Sequence, residues 1–208
     1  MMEETSHSTL KIAPLAYIKS LMYFQRFSSD YIDENDFKIA YGLLLGFKDV
    51  DGVLVVEDFI PYSHFNQEYV IFEEKALLIT KIKNLNLKYN DDEFPSYILG
   101  WARNAIDDSR EPTLIDKKNH NFFQAIRKNS FFWIFNYTDL AIDYGIKIYE
   151  FEEDYKAINL TSNLREKSFS FSKSVYIEDI INFAIEMEDK RKNNEILIEG
   201  IEEKEEKA

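Results

Sequence analysis

The sequence predicts an α/β fold in which helices flank a mixed, curved β-sheet, with a helical appendage at the C-terminus. Short apolar segments with strand-like composition alternate along the chain with longer segments whose apolar residues recur at helical spacing. An Asp-Gly pair between two of the apolar segments is a turn signal and predicts a β-hairpin. The chain has 208 residues, of which 45% are hydrophobic, so it can bury one sizeable core.

The first part of the chain contains signals for one strand, one helix and one hairpin. Residues 9–12 are a short apolar segment ended by Pro14 and predict a strand. Residues 15–27 carry apolar side chains near helical spacing and predict an amphipathic helix. The two strands of the hairpin are predicted at residues 39–47 and 53–61.

The second part of the chain continues the alternation. Residues 69–89 predict a long helix, and residues 96–105 predict a strand. A helix is predicted at residues 113–128, followed by strands at residues 131–136 and 145–151. This order of strands and helices suits a mixed sheet with helices packed on it.

Composition divides the chain into four parts. An apolar stripe at helical spacing over residues 174–190 predicts a C-terminal helix, and the polar stretch before it, up to Phe171, predicts an irregular linker. Glu and Lys dominate the end of the chain, which predicts a flexible tail. The parts are a flexible leader (1–9), the main domain (10–155), a linker with an amphipathic helix (156–194) and an acidic tail (195–208).

Charge and cysteine usage exclude several classes of function. A net charge of -13 and a pI near 4.7 argue against a general nucleic-acid binder, which needs clustered Lys and Arg. The absence of cysteine removes disulfides, thiolate nucleophiles and cysteine-based zinc sites. No apolar run is long enough to span a bilayer and the first residues are polar, so we expect neither a membrane helix nor a secretory signal. The expectation is a cytoplasmic protein.

One motif carries most of the functional information. It reads Gly100-Trp101-Ala102-Arg103-Asn104-Ala105 and is followed by Thr113 and Asp116. The spacing resembles that of the MPN domain family, also called JAB or JAMM, whose zinc-dependent metalloproteases carry Gly-Trp-x-His-x-His, seven residues, and Ser-x-x-Asp. The resemblance implies that Arg103 and Ala105 stand where the family has histidine ligands. It also implies that Thr113 stands at the serine, and that Asp116 alone matches a metal ligand.

Other segments resemble the same family in order and spacing, and together they cover roughly residues 10–153. Active members place a catalytic glutamate three residues before the first glycine of a Gly-Leu-x-Leu-Gly strand, and Ile39 occupies that position here. The matching segments are residues 41–46 for that strand, 55–61 for the next strand, and 131–139 with 145–151 for the hairpin after the active-site helix.

The substitutions remove what zinc chemistry needs. A catalytic zinc takes about three protein ligands plus an exchangeable water, and a strand supplies two of them at alternate positions on one face. Ala105 has no donor atom, and the cationic Arg103 would repel a divalent metal. Ile39 offers no general base for a bound water. The sequence therefore resembles the inactive branch of the family and predicts no metal, no cofactor and no catalysis at these positions.

Two roles for the remaining polar residues follow from their spacing. Thr113 and Asp116 match a capping box, in which the threonine hydroxyl and the acid three residues later satisfy backbone amides at the start of a helix. Alternatively, Arg103 could reach Asp116 as a bidentate ion pair and balance the carboxylate in place of a metal. His120 lies four residues after Asp116 and could share a helix face with it, a weak remnant of a metal site. The charged loop 106–112 is expected to be solvated, with contact to a peptide as its alternative.

The resemblance implies a non-catalytic scaffold protein that pairs with another MPN protein, itself catalytic or not, or with a second copy. Inactive members form heterodimers in the proteasome lid, the signalosome and the translation initiation factor complex, which places ubiquitin-like protein pathways among the expected partners. The alternative is a stand-alone module that binds a peptide or a ubiquitin-like protein in the vacated groove. A hydrolase of unconventional mechanism is a third, weaker alternative.

Two apolar helix faces are the candidate interfaces, because they carry more apolar side chains than one small domain is expected to cover. The alternative is that they pack on their own domain. The candidate interface residues are Leu15, Ile18 and Met22 on the first helix and Val175, Ile177, Ile181 and Met187 on the C-terminal helix.

Overall fold

The computed structural model describes residues 10–28, 37–73, 80, 97–105, 109–151, 163–172 and 181–182. The chain divides into two compact units, Met1–Lys173 and Ser174–Ala208. In the second unit only residues 181 and 182 are described, and both are helical. The described residues contain no helix that is both long and apolar enough to cross a membrane.

The first unit is built on one mixed sheet of eight strands in the order β7-β6-β5-β4-β2-β3-β1-β8. Strand β1 is parallel to β3 and β8, β4 is parallel to β5, and the remaining neighbours are antiparallel. The strands are β1 Leu10–Ile12, β2 Ile39–Lys48, β3 Leu54–Phe65, β4 Ile98–Asn104, β5 Phe131–Phe135, β6 Ile146–Phe151, β7 Leu164–Glu166 and β8 Phe169–Phe171.

Helices cover both faces of the sheet. Helix α1 (Pro14–Ser28) packs Phe24 against Phe59 and Phe135. Helix α2 (Leu114–Ile126) lies on the opposite face, where Phe123 joins a cluster that includes the side chains of alternate β4 and β5 residues. Every residue of β4 and β5 is buried, as expected for central strands that are covered on both sides. A 3-10 turn (Tyr137–Asp139) and a short helix α3 (Leu140–Asp143) connect β5 to β6.

The sheet curls until its two edges meet. Strands β7 and β8 occupy opposite edges of the sheet, yet only Lys167 and Ser168 separate them in the chain. The Lys167 amide donates to the Ile148 carbonyl on β6, and the Leu10 amide of β1 donates to the Ser168 carbonyl. Because two intervening residues span at most about 11 Å between the ends of β7 and β8, one short stretch of chain joins both edges and nearly closes the sheet.

The structure confirms the α/β class, the mixed curved sheet and the elements predicted up to residue 65 and from residue 96 to 151. Strand β3 is longer than predicted, because it continues through Pro61 to Phe65. Its register with β2 shifts between Tyr41 and Gly42, next to the pairing of Gly42 with Pro61. A proline is tolerated at such a bulge, where no ladder hydrogen bond requires its missing amide hydrogen.

Two sequence predictions need correction. Residues 69–73 are not helical, although the pattern predicted a helix over 69–89; Thr80 is helical, and the other residues of that range lie outside the described ones. The linker that was predicted from residue 156 to Phe171 contains β7 and β8, so the sheet extends beyond residue 155. Strands of three residues are too short to show periodicity. Strand β7 is held by pairing with the preceding strand β6, and β8 by pairing with the distant β1.

Candidate functional site

Strands β2 and β4 and the start of helix α2 carry the five positions that the resemblance identifies, which are Ile39, Arg103, Ala105, Thr113 and Asp116. Trp101, Arg103 and Ala105 alternate along β4 and its end, so their side chains point to the face covered by α2. Ile39 and Ala105 belong to the same buried apolar cluster, together with Trp101. Gly100 has a packing role, because a Cβ at that position would clash with the Phe131 carbonyl oxygen on the neighbouring strand.

The center of the site is a bidentate ion pair between Arg103 and Asp116. Arg103 donates from Nε to Oδ1 at 2.6 Å and from Nη2 to Oδ2 at 2.5 Å. Its Nη1 donates to the Asn104 carbonyl oxygen at 2.8 Å. The side chains are only 1% and 0% exposed, respectively. The sequence prediction that Arg103 turns inward and pairs with Asp116 is therefore confirmed.

The electrostatics of this pair keep Arg103 charged. Burial by itself lowers the pKa of the guanidinium, but the charge and the hydrogen bonds of Asp116 outweigh it and raise the pKa above its usual value. A buried charge is stable only when it is paired and its hydrogen bonds are satisfied. The ion pair thus places a permanent cation next to the one carboxylate that the motif retains.

Asp116 also caps helix α2. The Thr113 amide donates to Asp116 Oδ2 at 2.8 Å, and the Asp116 amide donates to Thr113 Oγ1 at 3.2 Å, which completes a capping box. The two roles predicted for Asp116 are both present, because Oδ2 accepts from Thr113 and from Arg103. The Thr113 hydroxyl donates in turn to Glu68 Oε1 at 2.5 Å. The carboxylate of Asp116 and the hydroxyl hydrogen of Thr113 are therefore both engaged in hydrogen bonds within the protein.

His120 is a core residue rather than a partner of Asp116. Its ring is fully buried between Phe132 and Phe151, at centroid distances of 4.8 and 4.9 Å. Trp101 Nε1 donates to its Nδ1 at 3.4 Å. Desolvation lowers the pKa of His120 to about 3, so the imidazole is neutral at physiological pH.

The described part of the charged loop is held against the domain. The Arg110 side chain is only 8% exposed; its Nε lies 2.8 Å from Asp139 Oδ2 and its Nη1 lies 2.5 Å from Asp143 Oδ1. Tyr149 donates its hydroxyl to the Arg110 carbonyl oxygen at 3.0 Å. The expectation of a solvated loop is therefore wrong for Arg110, because two carboxylates around α3 are available to it. Residues 106–108 lie outside the described ones.

Four residues that complete the site have no signal in the sequence. A segment at residues 68–72, which we call the strap, lies next to α2 through Asn119 and next to β4 through Phe72. Tyr41 contacts the strap from β2. Glu68 and Thr113 are 45 positions apart in the chain, and no motif spacing connects them. The residues missed are Tyr41, Glu68, Phe72 and Asn119.

The candidate interface residues have different exposures. Leu15 and Met22 on α1 are 55% and 64% exposed, and Ile18 between them is half-buried. Ile181 is only 5% exposed, so its side chain is not available as an interface anchor. Apolar residues at helical spacing predict one apolar face of a helix, but the spacing does not show whether that face packs on its own protein or on a partner. Val175, Ile177 and Met187 lie outside the described residues.

No protein-family model matches this chain, and no curated protein matches it at a significant level.

We predict that the buried ion pair contributes to the free energy of unfolding and that the contributions of its two members are coupled. Arg103→Met leaves the Asp116 carboxylate buried without a cation and should lower the free energy of unfolding by about 3–5 kcal/mol. Asp116→Asn should also destabilise, and the double variant should lose less than the sum of the two single losses. Urea denaturation measures all three. Arg165→Met, which removes an exposed partner of Glu150, is the control and should cost less than about 1 kcal/mol. Additive losses at Arg103 and Asp116 would contradict the coupling.

We predict that His120 makes stability depend on pH. Its pKa is about 3 in the folded protein and 6.5 in the reference state, so between these values the unfolded chain binds the extra proton. The stability associated with neutral, buried His120 is fully present above pH 6.5 and is lost as the pH falls. From pH 7.5 to 5.5 the free energy of unfolding should decrease by about 1.4 kcal/mol. His120→Gln should shrink this loss in urea denaturation, whereas the exposed His64→Gln should not. An unchanged pH dependence in His120→Gln would exclude His120 as its source.

Proposed function

We propose that this protein is a non-catalytic member of the MPN family that acts as a scaffold and pairs with another MPN-domain protein. The observation that carries the proposal is the ion pair between Arg103 and Asp116. A guanidinium bound to both oxygens of Asp116 supplies the positive charge that a divalent metal supplies in the active members which the motif resembles. The fold assignment is supported by the mixed curved sheet and by helix α2, which begins beside β4 as the motif requires.

The arrangement offers little for hydrolysis. A hydrolase needs an activated nucleophile and a proton acceptor within hydrogen-bond reach. Ile39 is a buried apolar side chain, Arg103 is a permanent cation, and the Thr113 hydroxyl donates to Glu68. The protein's role is therefore assigned to binding and positioning, in an assembly of the proteasome-lid, signalosome or initiation-factor type.

The exposed face of α1 is the interface that we assign to the partner. Leu15 and Met22 are large apolar side chains in contact with solvent, about two turns apart on the same helix. The exposed cations among them are Lys19, which forms an ion pair with Asp58 on β3, and Arg26, and α1 itself contains no acidic residue. A second copy would bring the same cations and a further net charge of -13. Charge complementarity therefore favours a different protein, with carboxylates beside an apolar helix face, over self-association.

The alternative function, a stand-alone module for a peptide or a ubiquitin-like protein, requires an open groove at the motif positions. The strap lies against these positions through Glu68 and Phe72. A ligand would have to displace it. We therefore place the scaffold function first.

We predict that the purified protein carries no stoichiometric zinc and cleaves no ubiquitin-type isopeptide bond. The double variant Arg103→His with Ala105→His restores two nitrogen ligands beside Asp116, enough for a three-ligand zinc site, and should bind zinc. Metal analysis after dialysis measures this. Ala105→His alone is the control and should bind none, because Arg103 still occupies Asp116.

Two results would count against this assignment. Equimolar zinc in the wild type, lost with an isopeptidase activity on chelation, would make the protein an enzyme. A folded double variant that binds no zinc would show that these positions lack the geometry of the metal site which the motif resembles.

We predict that Met22→Glu disrupts the complex without unfolding the protein. Native purification and mass identification should recover a second MPN-domain protein with the wild type. A buried charge at an interface anchor costs about 2 kcal/mol or more, so this partner should be lost with Met22→Glu. Val50→Glu, at a fully exposed turn position, is the matched control and should keep the partner. Equal recovery with both variants, or a strictly monomeric wild type without partner, would remove α1 as the interface.

A further inference from the structure

The strap is held by side chains instead of by a strand ladder. Asn119, fully buried on α2, accepts from the Ile71 amide through Oδ1 at 2.7 Å and donates from Nδ2 to the Tyr69 carbonyl oxygen at 2.9 Å. These two backbone groups flank residue 70 and point the same way in an extended chain. One carboxamide therefore binds the strap as a neighbouring strand would, through one donor and one acceptor.

Two hydroxyl groups hold the N-terminal end of the strap, at Tyr69 and Glu68. The Tyr41 hydroxyl accepts from the Tyr69 amide at 3.3 Å and lies 3.4 Å from the Tyr69 carbonyl oxygen. The Thr113 hydroxyl donates to the Glu68 carboxylate at 2.5 Å. The Tyr41 hydroxyl contacts only backbone atoms of the strap, whereas the Thr113 hydroxyl bonds to a carboxylate at the start of the strap.

An aromatic pocket receives the other end. The Phe72 ring is 1% exposed and packs edge-on against Phe123 and Trp101, with ring centroids 4.9 and 5.6 Å away. Tyr62 contributes a third ring at 5.8 Å. Such edge-to-face contacts favour an aromatic side chain over an aliphatic one of similar size. By contrast, the Tyr69 side chain is 53% exposed.

We propose that these side chains form a peptide-binding groove whose ligand is an extended segment with a carboxylate four positions before an aromatic residue. The groove residues are Tyr41, Trp101, Thr113, Asn119 and Phe123. The strap, with Glu68 and Phe72 at that spacing, is its intramolecular occupant, and a segment of a partner protein with the same pattern replaces it. This inference does not depend on the scaffold function. It gives the alternative function a ligand class and a competitor inside the chain.

Exchange is feasible because releasing the strap breaks side-chain contacts and leaves every strand pairing of the sheet in place. An occupant on the same chain has a high effective concentration, so a free peptide binds the wild type only in the small fraction of molecules whose strap is open. Weakening the strap should therefore increase the affinity for a peptide in solution.

The test uses a labelled synthetic peptide with the sequence of residues 66–73, NQEYVIFE, and the full-length protein. Phe72→Ala removes the aromatic end of the strap and should bind the peptide at least about tenfold more tightly than the wild type. A peptide with alanine in place of the first glutamate should bind this variant about tenfold more weakly, since it loses a hydrogen bond to a charged group. Adding Asn119→Leu to Phe72→Ala should abolish binding. A folded Phe72→Ala variant without saturable peptide binding would overturn the proposal.

Hydrogen exchange of the wild type decides the case in which Phe72→Ala does not fold. The Ile71 amide, bonded to Asn119, should exchange by local opening at a lower free energy than amides of the central strand β5. Exchange of Ile71 only by global unfolding, at the same free energy as β5, would make the strap a permanent part of the core and overturn the proposal.

Discussion

A buried ion pair between a guanidinium and a carboxylate constrains the rest of this structure. Arg103 on β4 and Asp116 on the first turn of α2 are both fully buried, and their charges are stable there only because each finds the other. The bidentate contact fixes both the distance and the rotation of α2 over the sheet, since a planar fork accepts one orientation. The capping box uses the same carboxylate, so the start of the helix and its position are set by one residue.

The sheet around this ion pair is nearly closed by two short edge strands, β7 and β8. Strands β7 and β8 are only three residues long each, yet they join opposite edges of an eight-stranded sheet through two residues. Edges that are paired in this way offer fewer free backbone groups to other chains. The α1 face, with Leu15 and Met22, is an apolar surface that the described residues leave exposed. The proposed interface on α1 and the proposed groove beside α2 lie on opposite faces of the sheet.

Residues 96–151 could be predicted from the sequence because their signals are local. The ion pair could be predicted as one of two roles for Asp116, because the resemblance places Arg103 and Asp116 at positions that share one metal site in the family. The strap could not be predicted: Glu68 and Asn119 meet through contacts 45 and 48 positions long, and an extended segment held by side chains has no periodicity. The same reason hid β8, whose partner β1 lies near the start of the described chain.

The central claim is that a permanently charged, solvent-excluded guanidinium replaces the metal of the site that this motif resembles. Nitrogen NMR of arginine-labelled protein, with the signal assigned through Arg103→Lys, tests it most directly. We expect the Arg103 Nε hydrogen to be protected from exchange with solvent at neutral pH, and its resonance to shift strongly in Asp116→Asn. An Arg103 Nε hydrogen that exchanges as fast as that of the exposed Arg26, with no response to Asp116→Asn, would contradict the account.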